Sequence, residues 1–170
     1  MKIFVSHAAV DHALANQFVN LLYEGTGFAK TDIFCSSIAG SIPTGEEFVQ
    51  IILQHLAEAG MVVLLISSPF LQSQFCLAET GAAQMRKQSG SLERIFPLVI
   101  PPAKLDDLKG FLLGSQAALI TDQTALGSIR RGGLKSGSFG GDESTVSTTA
   151  SSVSQTHAYG EAIWALIASF

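Results

Sequence analysis

Through its first two thirds the chain alternates short apolar runs with longer stretches of helical periodicity. Residues 2–5 are compact, apolar and rich in β-formers, and predict a first strand. Leu14, Phe18, Leu21 and Leu22 then recur at helical spacing, with Asp11 as a candidate cap and Gly25 and Gly27 as the stop. Residues 32–36 predict a second strand, and residues 37–45, punctuated by Gly40, Pro43 and Gly45, a loop. Thr44 and Glu47 stand at capping-box spacing before a second helix, whose buried stripe would be Phe48, Ile51, Ile52, Leu56 and Ala59.

Residues 61–66 are apolar without interruption, the pattern of a strand covered on both faces, as central parallel strands are. Residues 68–74 read as a connector and 75–87 as a third helix. A fourth strand over 95–100 is stopped by Pro101 and Pro102. Residues 105–113 read as short helical or irregular structure, and 117–121 as a weaker fifth strand. Strands alternating with helices in this way predict a doubly wound parallel sheet of the α/β class. Ligands in such sheets bind at the carboxyl ends of the strands, which directs attention to Ser6 and His7, to residues 36–45 and to residues 67–79.

The last third changes character. Gly, Ser and Thr make up 18 of the 30 residues from 127 to 156, too little apolar surface to offset the entropy of ordering them. The expected organisation is therefore one domain over residues 1–126, a flexible insertion or linker over 127–156, and a terminal helix over 157–170, where Ala162, Ile163, Leu166 and Ile167 regain helical spacing. The Gly/Ser-rich stretch would also suit a linker to a further domain.

Composition narrows the chemistry. Ten basic and 14 acidic residues give a net charge of −4, and the densest positive stretch is only Arg130, Arg131 and Lys135, so direct nucleic-acid binding is not expected. Two cysteines, Cys35 and Cys76, suit a reduced, cytoplasmic setting better than a disulfide scaffold. The longest uncharged apolar segments, 61–66 and 162–170, fall short of the roughly 20 residues of a membrane span, so no membrane association is expected. The four histidines, His7, His12, His55 and His157, never stand at ligand spacing, and no metal site is expected. Gly40 and Gly45 have phosphate-loop spacing, but Glu46 stands where that loop needs lysine.

Three motifs at the expected strand ends remain. Phe4-Val5-Ser6-His7 closes the first strand, Ser36 leads into a loop with Ile42-Pro43-Thr44-Gly45, and Ser67-Ser68-Pro69-Phe70 runs on through Ser73, Phe75 and Cys76 to Glu79. At these residues the chain resembles the TIR (Toll/interleukin-1 receptor) family. Residues 4–7, followed by the acidic Asp11, look like its opening Phe-Ile-Ser-[Tyr/His] box, and residues 36–45 like its BB loop. Residues 67–79 look like its Ser-x-x-[Phe/Tyr]-x-x-Ser-x-[Trp/Phe]-Cys-x-x-Glu helix entry, and Phe96-Pro97-Leu98 like its fourth-strand box. Phe75 replaces the commoner tryptophan, and the likeness covers roughly residues 1–122.

The resemblance implies a flavodoxin-like three-layer sandwich around a five-stranded parallel sheet. It also implies one of two functions: cleavage of the nicotinamide–ribose bond of NAD, or signalling by self-association without catalysis. In the catalytic kind, the position matching Glu79 carries the essential carboxylate, NAD is substrate and no separate cofactor is needed. Phe4, Ser6, His7, Ser36, Ile42, Phe70, Ser73, Phe75 and Cys76 would then line the pocket. Bacterial proteins of this style act in anti-phage defence, and TIR–TIR self-association would be the expected partnership. A nucleoside deoxyribosyltransferase-like enzyme shares the sheet architecture and also uses a glutamate, but lacks these boxes. Simpler readings stand beside these. A glutamate early in a helix also complements the helix dipole. Phe4 and Phe34 suit a core, and Cys76 suits a small buried apolar site.

Overall fold

The computed structural model describes residues 1–26, 28–37, 47–112 and 116–134. Ile42, Thr44 and most of the 37–45 loop lie outside the described residues, as do residues 135–170 with the expected terminal helix.

Five strands, β1 (Ile3–His7), β2 (Ile33–Cys35), β3 (Met61–Ile66), β4 (Arg94–Val99) and β5 (Ala118–Leu119), form one sheet in the order β2-β1-β3-β4-β5. Every pair is parallel, with Phe4 beside both Phe34 and Val62, and Ile66 beside Val99. Each connection therefore has to cross over a face of the sheet: α1 (His12–Thr26) follows β1, α2 (Phe48–Glu58) precedes β3, and α3 (Ser68–Gln72) with α4 (Gln74–Gln88) lead from β3 to β4, while two short 3-10 turns lie between β4 and β5 and α5 (Gln123–Leu134) follows β5. This is the flavodoxin-like order, in which the chain reverses its direction of travel between β1 and β3 and opens a crevice at their carboxyl ends.

Strand β3 shows why the sequence folds this way. All six of its side chains are fully buried. Met61, Val63 and Leu65 pack toward α1 through Leu14, Ala15, Phe18 and Leu22. Val62, Leu64 and Ile66 pack toward Ile52 and Leu56 of α2, Phe70 of α3 and Ala83 of α4. A strand's side chains alternate between faces, so only an unbroken apolar run can serve both layers. Each such side chain contributes about 1.5–3 kcal/mol by burial.

Several local expectations shift. Asp11 does stand just before α1, but its carboxylate accepts from the Ser67 hydroxyl rather than capping the helix. Helix α1 runs on through Gly25 to Thr26. Helix α2 starts at Phe48, with Glu47 as its N-cap residue making no side-chain cap. The expected connector after β3 is helix α3, because Ser67 Oγ accepts from Phe70 N at 3.1 Å and a proline stands in its first turn. The expected flexible segment from Gly127 begins inside α5, which extends to Leu134. There Asp122 Oδ1 accepts from Thr124 N at 2.8 Å and Ala125 N at 3.3 Å, and Ile129 is buried against the α1 side of the core. Capping and burial of one face override the weak helix propensity of the glycines.

Arg86 holds the far ends of α2 and α4 together. Its guanidinium donates to the carbonyls of Leu56, of Ala59 at 3.0 Å and of Ser91 at 2.7 Å. These satisfy carbonyls that a helix end leaves open. Replacing Arg86 by alanine is expected to lower unfolding free energy by about 1–3 kcal/mol, read by chemical denaturation. An unchanged midpoint would show that water replaces these bonds at no loss.

Candidate functional site

The carboxyl end of β1 places its last two side chains on opposite faces of the sheet. Ser6 points with Phe4 toward the α4 layer, and His7 points with Val5 toward the other. Both are buried. Ser73 and the start of α4 lie across this edge, because the short α3 turns the chain back immediately after β3.

Helix α4 begins with a side-chain cap, Ser73 Oγ accepting from Cys76 N at 3.2 Å. Its inward stripe is Cys76, Glu79, Thr80 and Ala83, the spacing of one helix face. Glu79 thus occupies a position where the fold otherwise puts core residues, and only 7% of its surface is exposed. The Ser6 hydroxyl donates to Glu79 Oε2. Burial pushes the Glu79 carboxyl up to about 7, while the Ser6 hydrogen bond pulls the other way. Near neutral pH the group therefore divides between acid and carboxylate, a condition concentrated at functional sites.

Cys76 is buried, and its thiol donates to the His7 carbonyl at 3.5 Å, tying α4 to the end of β1. Burial raises its pKa, so it is a packed thiol rather than a nucleophile. On the other face, His7 Nε2 pairs with Ser37 Oγ, and His7 Nδ1 lies 3.8 Å from Cys35 Sγ. Burial holds this imidazole below its usual range, and hence neutral at neutral pH.

The residues expected to line a pocket divide into three groups. Ser6, Glu79, Cys76 and Ser73 converge through the contacts above, and Phe75, one helical turn before Glu79, shares its side of α4. His7 joins them through its backbone while its ring serves the opposite face. Phe4 and Phe70, by contrast, are fully buried in the core, Phe4 stacking on Phe34 at 5.5 Å, and offer no ring face to a ligand. Ser36 lies half-buried in the turn that leaves β2, and Ile42 lies outside the described residues.

The structure adds Phe48. Its sequence position suggested the buried stripe of α2, yet 51% of it is exposed, with its ring centroid 6.0 Å from that of Phe75, itself 39% exposed. Helix α2 is apolar on more than one side, with Val49 and Leu53 also exposed, and periodicity alone could not choose the inward face. The Ser67–Asp11 bond, which ties the end of β3 to the entry of α1, likewise joins residues far apart in sequence.

Among the described residues no group of three or more His, Cys, Asp or Glu is placed to hold a metal ion. No helix among them is long and apolar enough to cross a membrane. What the site offers is one desolvated carboxylate at the carboxyl edge of the sheet, a hydroxyl holding it, and a half-exposed aromatic ring, Phe75, one turn earlier on the same helix with Phe48 next to that ring.

Comparison with known proteins bears on the family. The family model described as TIR domain matches residues 3–124. An uncharacterized protein of Bacillus subtilis (strain 168), YddK, is 34% identical over 91 residues, which are 53% of this chain and 34% of that protein's length. With the family's sheet order, its motifs in register and most of its length matched, the chain belongs to the TIR domain family.

Proposed function

We propose that this TIR domain cleaves the nicotinamide–ribose bond of NAD, with Glu79 as its catalytic carboxylate. The observation that carries the reading is a glutamate buried in an apolar layer at the crevice where this fold binds ligands. A solvated glutamate that merely complemented the helix dipole would not be desolvated, nor held from the neighbouring strand.

The chemistry suits a single carboxylate. Breaking the C1′–N bond sends its electron pair to the pyridinium nitrogen, so nicotinamide leaves neutral and needs no acid to protonate it. The ribose is left as an oxocarbenium ion, whose charge a carboxylate beneath it stabilises, as in glycoside cleavage. Addition of water at C1′ with loss of one proton gives ADP-ribose. Attack by a nitrogen of the adenine instead gives a cyclic product. A low-dielectric setting strengthens the interaction between carboxylate and cation, and so compensates for burying the charge. Phe75 and Phe48, both partly exposed and with ring centroids 6.0 Å apart, would stack on a planar ring of the dinucleotide.

A second reading, a non-catalytic module that works by docking to other TIR domains, is favoured by the exposed apolar residues of α2, Phe48, Val49 and Leu53. The two are compatible, since self-association can complete a site, and involvement in anti-phage defence would suit either.

Purified protein at high concentration is expected to release nicotinamide from NAD, and Glu79→Gln to lose roughly a hundredfold or more of that rate. No release from the wild type under crowded, self-associating conditions would remove the enzymatic reading and leave the docking module. The carboxylate is the working form, so kcat/KM should fall about tenfold per pH unit below the Glu79 midpoint near 7 and level off above it. A flat profile from pH 5 to 8 would contradict that assignment. Phe48→Ala and Phe75→Ala should each raise KM about tenfold, the scale of one lost base–aromatic stack. Unchanged KM in both would place the bound ring elsewhere.

A further inference from the structure

The Ser6 hydroxyl is only 2% exposed, and its one proton is committed to Glu79 Oε2. A ligand cannot reach this oxygen without first displacing the glutamate, so Ser6 is not placed to hold a sugar hydroxyl or a phosphate itself. Its backbone is fixed by the β1–β3 ladder, where it lies beside Leu64. The β1–β2 pairing has already ended at Val5 and Cys35, and Ser6 is the next-to-last residue of β1, so it sits at the carboxyl edge of the sheet. Among the described residues it is the only hydrogen-bond partner of the Glu79 carboxylate, whose Oε1 has none.

We infer that Ser6 is the positioning residue of this site: from a rigid strand it holds Glu79 by Oε2, leaves Oε1 free for the crevice, and favours the ionised carboxylate over the acid. This rests on the proposed role of Glu79 but assigns Ser6 a separate one, acting on the glutamate rather than on the substrate. A hydrogen bond to a charged acceptor is worth more than one to a neutral acceptor, so it favours the ionised form over the acid. It also restricts the rotamers of a long side chain, and a charge-stabilising group must be held close to its working geometry before substrate arrives. The helix contributes from its side, with the Ser73 cap and the bond from Cys76 to the His7 carbonyl fixing α4 against the same strand.

The test is the titration of Glu79 in the full chain, followed by the carbon-13 signal of its side-chain carboxyl and assigned with Glu79→Gln, in wild type, Ser6→Ala and Ser6→Thr. In parallel, the pH profile of nicotinamide release is measured for the same proteins. Ser6→Ala should raise the Glu79 midpoint by about one pH unit, and so lower kcat/KM at pH 7 about fivefold. Raising the pH should restore much of that loss, and kcat should fall more than KM. Ser6→Thr, which keeps the hydroxyl, should keep the wild-type midpoint. An unchanged midpoint in Ser6→Ala, with activity lowered equally at every pH, would overturn the inference and leave Ser6 a packing residue. Should Ser6→Ala fail to fold, Ser6→Cys, with a weaker donor, must show an upward shift, and its absence overturns the inference in the same way. If the wild type releases no nicotinamide, the functional reading fails, while the carboxyl titration still decides the role of Ser6.

Discussion

Between α4 and the sheet, in a layer otherwise filled by Phe4, Ile66, Phe70 and Ala83, the fold buries the carboxylate of Glu79. Desolvating a charge works against folding, and the surroundings are arranged around that constraint. Ser6 supplies a hydrogen bond from the strand. Ser73 caps the helix that carries the glutamate, and the Cys76 thiol fastens that helix to the His7 carbonyl. Ser67 does two things at once, donating to Asp11 and capping α3, so the ends of β1 and β3 are joined around the crevice. The apolar runs build a rigid sheet, and the small polar residues at its carboxyl edge set one acidic group in place.

This division of labour explains which features were legible in the sequence. Strand β3 was readable to the residue, because burial on both faces leaves an unbroken apolar run that no other element mimics at that length. The inward position of Glu79 was not evident from periodicity. The third helix was legible as an element, and the resemblance to TIR domains gave the glutamate its meaning. Its pairing with Ser6 joins positions 73 residues apart, a contact that depends on how α4 lies across β1. Helix α3 was hidden because Ser, Pro and Gln also suit a connector, and only the Ser67 cap makes a short helix of them. The start of α5 was hidden by its glycines, whose propensity loses to the Asp122 cap and the burial of Ile129. Phe4 and Phe70 are the converse case. Motif position suggested ligand contacts, but both rings serve the core, while the exposed ring that accompanies Phe75 is Phe48.

The site thus places stability and chemistry in opposition. A carboxyl whose folded pKa stands near 7, above its ordinary 4.5, binds its proton more tightly in the folded state than in the unfolded one. Its contribution to stability is whole below pH 4.5 and is lost as pH rises through the folded midpoint near 7. Above that pH the ionised glutamate carries a penalty of about 3 kcal/mol relative to a group that titrates normally. A position that served packing alone would gain from an uncharged side chain, and proteins commonly accept such penalties where a charge has work to do.

Urea unfolding of wild type and Glu79→Gln at pH 8 and at pH 4.5 tests this account most directly. If Glu79 is held as a desolvated carboxylate, the glutamine protein should be more stable by roughly 1–3 kcal/mol at pH 8, and the difference should vanish at pH 4.5. A glutamine protein less stable than wild type by the same amount at both pH values would contradict it, showing that Glu79 stabilises the fold through ordinary contacts.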